Sequence, residues 1–279
     1  MSPTDLNLAY PSERSISTLH KKSHHRSSLV YHVDLLYHLV RRDFTLRYKQ
    51  SVLGVLWSLV IPLAQLIVLV FLFDIVVPLK IEAYPVFVFC ALLPWTWFST
   101  CLGSAGNLFI HNRDLVRRPN FAPAILIIVN TLSNLLNYVV AMPILFGMLI
   151  FYGKTLTWAL LTLPLLILIQ GILIVSLGLT IATLNVFYRD IQHMMSMMLM
   201  LLFYLTPVFY RSQSAVENYR ILYTYSPLAI LIQNYRAIFL YGTFPEWNSL
   251  LIAGIISVVL CCFSYLMYCR YLHDVIDTI

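Results

Sequence analysis

Long apolar runs separated by short polar loops occupy most of this chain of 279 residues, from Leu53 to Tyr268. An α-helix needs about 20 apolar residues to cross the hydrocarbon core of a bilayer, which is about 30 Å thick. With 60% hydrophobic and 11% charged residues, the chain has too few charges to cover that apolar surface in water. Backbone hydrogen bonds inside a bilayer must close within each helix. We therefore expect an all-α polytopic membrane protein.

Six of these runs are long enough to predict six transmembrane helices. Only Gly153, Lys154 and Thr155 separate the third run from the fourth, which predicts a tight hairpin. The fifth run ends at Thr206-Pro207. The predicted spans are Leu53–Val77, Pro85–Phe109, Phe121–Tyr152, Leu156–Leu184, Ile191–Phe209 and Ser249–Tyr268.

Lysine and arginine are unevenly distributed between the two sets of loops that these spans define. Eight precede Leu53, three lie between the second and third spans, and one each follows the fourth and sixth spans. The opposite set of loops holds five. Because cytoplasmic loops carry the excess of Lys and Arg, both termini are predicted to be cytoplasmic. The net charge of +6 follows from this bias, and no nucleic-acid partner is predicted.

The chain before the first span divides into two predicted segments. Residues 1–28 are rich in Ser, His and Lys, which predicts a disordered cytoplasmic tail. Residues 29–52 predict an amphipathic interface helix, because Val33, Leu36 and Val40 recur at spacings of three and four. This helix would be either a membrane-surface anchor or a docking surface for a cytoplasmic partner. Its basic residues include Arg41, Arg42 and Arg47.

The segment between spans five and six, Tyr210–Trp247, is too long for a turn. Its apolar run, Leu228–Phe239, would be roughly 18 Å long as a helix, too short to cross the bilayer. We predict an external re-entrant helical hairpin. The segment is either an interfacial aromatic belt or a stacking surface for sugar rings. Its aromatic residues are Tyr210, Tyr219, Tyr223, Tyr225, Tyr235, Phe239, Tyr241 and Phe244.

Polar residues inside the predicted spans are candidates for a translocation path. Asn130, Asn134 and Asn137 fall at i, i+4 and i+7 on one face of the third span. Such amides either join helices or form a polar wall. The other candidates, which either line a path or pack spans one and five together, are Trp57, Gln65 and Tyr204.

The sequence contains no motif of a catalytic or metal site. HExxH, GxSxG and P-loop patterns are absent, and the five cysteines have no CxxC spacing. A membrane-embedded glycosyl- or acyltransferase is disfavoured, because the scattered carboxylates provide no convincing acid/base pair. We expect a protein that is not an enzyme and binds neither metal nor cofactor.

Four segments in order resemble the permease subunits of polysaccharide ABC exporters of the ABC-2 type, and among them the O-antigen exporters. The segments are Arg41–Leu63, Asn112–Pro123, Asn185–Tyr210 and Tyr225–Arg236. In the last of them, Ser226 stands where that family usually has Asn. The family residues of the first segment are Ser51, Leu53, Gly54, Leu56, Trp57, Pro62 and Leu63.

The resemblance implies a homodimer of permeases that works with two copies of a P-loop ATPase, which would use ATP and Mg²⁺. The cargo would be a lipid-linked polysaccharide that crosses the bacterial inner membrane. Capsule polysaccharide, teichoic acid or a small hydrophobic compound are alternative cargoes, and a scaffold subunit without a path is a further alternative.

The resemblance also assigns roles to residues. ATPase coupling would involve Asn112, Arg113, Asp114, Arg117, Arg118, Arg189 and Asp190. Arg41, Arg42 and Arg47 would attract the pyrophosphate of the lipid carrier at the gate. The path would be lined by Trp57, Gln65, Asn130, Asn134, Asn137, Tyr204, Tyr210, Tyr225 and Tyr235.

Overall fold

A computed structural model describes residues 28–48, 56–119, 121–211 and 225–278, and these residues contain no β-strand. A π-helical turn, Phe71–Val76, extends the helix Trp57–Val70, and a 3₁₀ helix, Trp158–Thr162, precedes the helix Leu163–Phe187. The predicted all-α fold is confirmed. The helices are α1 (Ser28–Tyr48), α2 (Trp57–Val70), α3 (Tyr84–Ala105), α4 (Leu108–His111), α5 (Arg113–Val116), α6 (Ala124–Phe151), α7 (Leu163–Phe187), α8 (Ile191–Leu205), α9 (Pro227–Phe239) and α10 (Trp247–Thr278).

Several predicted features lie outside the described residues. These are the disordered tail apart from Ser28, the junction at residues 49–55, and the arm of the external hairpin at residues 212–224 with Tyr219 and Tyr223. The other arm is α9, which has 13 residues. A helix, α1, covers most of the segment predicted as an interface helix, and its place at the membrane surface stays a prediction.

Helices long and apolar enough to cross a bilayer confirm a polytopic membrane protein. The continuous helical segments of this kind are Trp57–Val76, Tyr84–Ala105, Ala124–Phe151, Trp158–Phe187 and Trp247–Thr278.

The predicted fifth span forms a shorter helix. α8 has 15 residues, which gives a length of roughly 22 Å. It ends at Thr206, whose backbone is extended (φ −85°, ψ 137°), because the following Pro207 disfavours the helical conformation at that position. A total of six spans stays a prediction.

The second span, α3, is the central helix of the bundle. In the most apolar stretch of α3, 78% of the residues are buried inside the protein, compared with 22% in that of Trp57–Val76. Hydrogen bonds connect α3 to neighbouring helices inside the apolar core, where an unpaired polar group would be energetically unfavourable. Nε1 of Trp97 donates to the carbonyl oxygen of Thr131 in α6 at 3.1 Å, and Nε2 of Gln170 in α7 donates to that of Pro94 at 2.8 Å.

Contacts between loops define the two ends of the bundle. At the end that we call the Lys154 end, Nζ of Lys154 lies 2.6 Å from Oε1 of Glu82. This hydrogen bond and the Lys154 charge lower the pKa of the Glu82 carboxyl. At the opposite end, which we call the Arg113 end, Nη2 of Arg42 in α1 donates to Oδ1 of Asn112 at 3.5 Å. The predicted sorting of loops into two sets is consistent with these contacts.

The interface helix α1 packs on the side of α6. Leu39 forms an apolar cluster with Ile125 and Val129, whereas Val33 and Tyr37 on α1 are exposed. Part of the apolar stripe of α1 therefore contacts protein.

Candidate functional site

Three residues predicted to line a path, Trp57, Asn134 and Asn137, meet at a cavity of about 260 Å³ between α2, α3 and α6. Its wall combines indole, hydroxyl and amide groups within the membrane-spanning part of the chain. Such groups supply hydrogen bonds and aromatic faces that surrounding lipid does not provide. The other polar and aromatic residues of the wall are Ser58, Thr96, Trp97, Thr100 and Tyr138.

The asparagine stripe of α6 has two different environments. Nδ2 of Asn130 donates to the carbonyl oxygen of Cys101 at 3.1 Å, and Nδ2 of Asn134 donates to the carbonyl oxygen of Asn130 at 2.8 Å. Both side chains are buried, at 3% and 2% exposure. Asn130 therefore joins α6 to α3, as one of the two sequence interpretations proposed. Asn137 is only half-buried and faces the cavity.

The sequence analysis missed a polar edge on α3. Apart from Pro85, the residues of α3 that are not buried are all small: Thr96, Ser99, Thr100, Gly103 and Ser104. Their spacing of three, four and seven residues places them along one side of the helix. That spacing was a signal in the sequence, and it would have added Thr96 and Thr100 to the candidate list.

Gln65 and Tyr204 lie on exposed surfaces of the described chain. Gln65 is exposed on α2, and Tyr204 is exposed on α8. Neither lines the cavity that contains Trp57 and Asn137. Within one copy of the chain, the hydroxyl of Tyr210 lies 3.3 Å from the carbonyl oxygen of Tyr204, whereas neither Gln65 nor Tyr204 joins the path candidates at that cavity.

The three remaining path candidates occupy different environments near the Lys154 end. The hydroxyl of Tyr210 donates to the carbonyl oxygen of Leu205 at 2.9 Å, and Tyr225 is exposed. Tyr235 is 0% exposed, with its ring 6.4 Å from that of Tyr138. Tyr235 thus lies in the apolar core with its ring near that of Tyr138 in α6, and its lining role stays a prediction.

Arg236 of α9, absent from the predicted site, joins three segments at the Lys154 end. The side chain is 4% exposed. Its Nε, Nη2 and Nη1 atoms donate to the carbonyl oxygens of Phe87 (3.3 Å), Val208 (2.6 Å) and Tyr210 (3.5 Å). Its Cζ lies 3.6 Å from the ring centroid of Phe87, a cation–π contact. Arg236 therefore fixes α9 to the first turn of α3 and to the segment after α8.

A second polar cavity, of about 250 Å³, borders Arg236 at the Lys154 end. Both aromatic rings and hydrogen-bonding groups line it. Its wall includes Phe87, Arg211, Gln233, Tyr241, Thr243, Phe244, Glu246 and Ser249. Tyr241 and Phe244 belong to the aromatic segment that the sequence analysis singled out, and both rings are exposed.

The residues predicted to couple to an ATPase surround the Arg113 end. Asn112 separates α4 from α5, and its Nδ2 donates to the carbonyl oxygen of Leu108 at 2.9 Å. The charged residues are exposed, namely Arg113, Asp114, Arg117, Arg118, Arg189 and Asp190. Arg41 and Arg42 are exposed on α1. Arg47 also belongs to α1, but its side chain lies outside the described part of the structure.

Hydrogen bonds among Asn185, Gln192, Gly103 and Gly106 join α3, α7 and α8 at the Arg113 end; we call them the amide bridge. Nδ2 of Asn185 donates to the carbonyl oxygen of Gly106 at 3.0 Å, and its Oδ1 accepts from the backbone N–H of Gln192 at 3.0 Å. Nε2 of Gln192 donates to the carbonyl oxygen of Gly103 at 2.6 Å. The bridge lies next to both loops that carry the predicted coupling residues. Asn185 opens the motif that includes Arg189 and Asp190, which was the only signal for it in the sequence.

The amino-acid sequence matches one characterised protein family and several characterised proteins. The sequence model of the ABC-2 type transporter family matches residues 34–240. The O-antigen export system permease protein RfbA of Myxococcus xanthus is 35% identical over 228 residues, which cover 81% of this chain and 88% of the relative.

Two further relatives, both from Klebsiella pneumoniae and both carrying the same protein name, give the same result. One is 34% identical over 83% of this chain and 91% of its own length, and the other is 32% identical over 86% and 95%. The chain therefore belongs to the ABC-2 type transporter family.

Proposed function

We propose that this protein is the transmembrane permease subunit of an ATP-driven exporter that moves lipid-linked polysaccharide of the O-antigen class across the bacterial inner membrane. The observation that carries the proposal is similarity, over more than 80% of the chain, to three proteins named as O-antigen export permeases. The polar cavity beside α3 supports it, because a saccharide needs hydrogen-bonding partners inside the bilayer.

The chemistry of the cavity suits a repeating polymer of sugars. Sugar rings present C–H faces to aromatic side chains, here Trp57. Hydroxyl groups both donate and accept hydrogen bonds. The Thr96 hydroxyl already donates to the carbonyl oxygen of Leu92 at 2.8 Å and can accept from a sugar hydroxyl, whereas the hydroxyl of Thr100 can do either. Asn137 adds an amide to the same wall. We assign Gln65, Tyr204, Tyr210 and Tyr225 to surfaces that the polymer passes in the assembled transporter, and leave Tyr235 out.

A homodimer would complete the path. The exposed amide of Gln65 on α2 lies among apolar residues, and an amide facing hydrocarbon is costly. A second copy of the chain that covers α2 and α8 would give Gln65 and Tyr204 a protein or water environment. An interface between two identical chains would have twofold symmetry. The exposed apolar residues of these helices include Ile61, Val68, Met194, Met197, Met198, Leu201 and Leu205.

The Arg113 end would receive the movement of two ATPase subunits, which bind ATP and Mg²⁺. Its exposed arginines and carboxylates suit a polar protein contact. The arginines of α1, namely Arg41, Arg42 and Arg47, would attract the pyrophosphate of the lipid carrier through charge-assisted hydrogen bonds.

We expect the Arg113 end to be cytoplasmic and the Lys154 end to be external, in accordance with the positive-inside rule. In a variant whose native cysteines are replaced by serine, Thr155→Cys should react with a membrane-impermeant maleimide in intact spheroplasts. Asp277→Cys should react only after the membrane is opened. Reaction of Asp277→Cys in intact spheroplasts would contradict the orientation.

Reconstitution tests the proposed export activity. Proteoliposomes that contain the permease, its ATPase and radiolabelled lipid-linked polysaccharide should, on addition of ATP, transfer the polymer to the side where an added glycosidase cannot reach it. Asn137→Leu should lower the transfer rate several-fold, because it replaces a hydrogen-bonding group of the cavity with an apolar one of similar size. Protection from the glycosidase as a function of time measures the rate.

Val139→Leu is the matched control for Asn137→Leu. Val139 is exposed on α6 and does not line the cavity, so this variant should retain the original transfer rate. No ATP-dependent protection with the unaltered protein would reject the proposed function. Normal transfer by Asn137→Leu would instead remove the cavity from the path.

A further inference from the structure

The last helix continues beyond the end predicted for its membrane span. The prediction ended at Tyr268, but α10 extends to Thr278 and has 32 residues. At 1.5 Å per residue it is about 48 Å long, which exceeds the thickness of a bilayer core, about 30 Å. We call Cys269–Thr278 the C-terminal extension.

One side of the C-terminal extension belongs to the same apolar cluster as the loop helices α4 and α5. Tyr268, directly before the extension, has its ring 6.4 Å from that of Phe109 in α4. Leu272, Val275 and Ile276 have the spacing of three and four residues that places side chains on one side of a helix. Val275 is 0% exposed and shares an apolar cluster with Phe109 of α4 and Val116 of α5. Leu272 and Ile276 pack against the same cluster. The opposite side carries Arg270, His273, Asp274 and Asp277, all of them exposed.

The short loop helices depend on this packing. α4 and α5 have four residues each, and helices of that length are not stable by themselves in water. Their positions are therefore determined by the buried side chains of Phe109 and Val116. These two anchors hold the exposed charges from Arg113 to Arg118 in place.

The same helix contacts the external segment at its other end. The backbone N–H of Glu246, the residue before α10, donates to Oδ1 of Asn234 in α9 at 2.9 Å. Along its length α10 packs on α7, where the hydroxyls of Thr180 and Ser264 are 2.8 Å apart. One continuous helix thus contacts the loop helices at the Arg113 end and α9 at the Lys154 end.

We propose that the C-terminal extension, through Val275, positions the loop helices α4 and α5 and transmits their displacement along α10 to α9 at the opposite end of the bundle. Val275 is a positioning residue, because it acts through the apolar cluster that holds Phe109 and Val116 and has no role in binding nucleotide or cargo. The inference rests on the proposed function in that the loop is assumed to receive the movement of the ATPase.

The test compares Val275→Asp and Val275→Ala with Val275→Ile in the complete permease–ATPase complex. Each variant also carries Thr243→Cys, in the cavity at the Lys154 end, as a reporter for a membrane-impermeant maleimide. In the unaltered background, trapping the ATPase with vanadate should change the labelling rate of this cysteine. Val275→Asp should reduce that change by about tenfold, and Val275→Ala by less. Polymer transferred per ATP hydrolysed should fall in the same order.

Two controls separate positioning from a loss of structure. Val275→Ile keeps the apolar contact and should preserve both readouts, and so should His273→Ala on the exposed side of the extension. If Val275→Asp does not assemble with the ATPase, Val275→Ala decides the question. The inference would be overturned if the variant that assembles keeps both the vanadate-induced change in labelling and the amount of polymer transferred per ATP hydrolysed. If the unaltered complex transfers polymer in the same vesicles, the proposed function would still stand.

Discussion

Replacement of Arg236 by methionine is expected to lower the melting temperature of the purified permease by roughly 6–12 °C, for a loss of about 3 kcal/mol in the free energy of unfolding. Methionine fills a similar volume but donates no hydrogen bond. The carbonyl oxygens of Phe87 and Val208 would lose their Arg236 donors in a buried environment. Thermal unfolding in lipid nanodiscs, followed by size-exclusion chromatography, measures the shift.

Arg211→Met provides the matched control for Arg236→Met. Arg211 borders the same cavity but is exposed, so its loss should change the free energy of unfolding by no more than about 0.5 kcal/mol. Arg236→Lys should give an intermediate result, because an ammonium group keeps the charge but not the planar set of donors. Equal melting temperatures for the Arg236→Met and Arg211→Met variants would show that Arg236 does not hold this end together.

Gly106→Ala is expected to destabilise the amide bridge by about 1–3 kcal/mol, the range for inserting a methyl group into a packed interior. The added carbon would overlap Oε1 of Gln192 and lie 3.2 Å from Cγ of Asn185. Gln192 would have to move, and its hydrogen bond to Gly103 would be lost. We expect export to decline with stability, because the connection between α3 and α8 would be weakened beside the loops that carry the predicted coupling residues.

A double-mutant cycle identifies the cause of the Gly106→Ala effect. In a Gln192→Ala background the overlap with Oε1 is absent, so Gly106→Ala should destabilise by less than in the unaltered protein. Gly147→Ala in α6 is the control, because no atom lies within 4 Å of the added carbon and alanine favours the helix. Equal effects of Gly106→Ala in both backgrounds would show that Gln192 is not the group displaced.

The spans could be predicted because apolar length is a local property of the sequence, but their arrangement could not. α3 is the least apolar of the five long segments and yet the most buried. Its threonine and serine residues lower its hydropathy and also allow close packing and hydrogen bonds with neighbouring helices. Hydropathy therefore identified α3 as a span without showing that it is central.

The predictions of individual residues depended on contacts that are distant in sequence. Arg236 counted as one external cation, since no local pattern shows that the carbonyl oxygens of Phe87 and Val208 accept its hydrogen bonds. The C-terminal extension was missed for a related reason: Leu272, Val275 and Ile276 stand among charged residues, so the run reads as polar. Trp57 and Asn137 were selected from sequence and meet in one cavity, because a motif and an amide spacing each provided a local signal.

The identity of the buried residue at position 236 also determines how this end of the protein responds to the pH of the surrounding medium. Burial lowers the pKa of the Arg236 guanidinium to about 10, still well above the values that growth media reach. A histidine at this position would gain and lose its charge near pH 6.5, and the three segments would separate and rejoin as the medium changed. With arginine, on the proposed orientation, acidification outside the cell leaves the guanidinium charged and its hydrogen bonds in place, so this junction is insensitive to the pH of the medium.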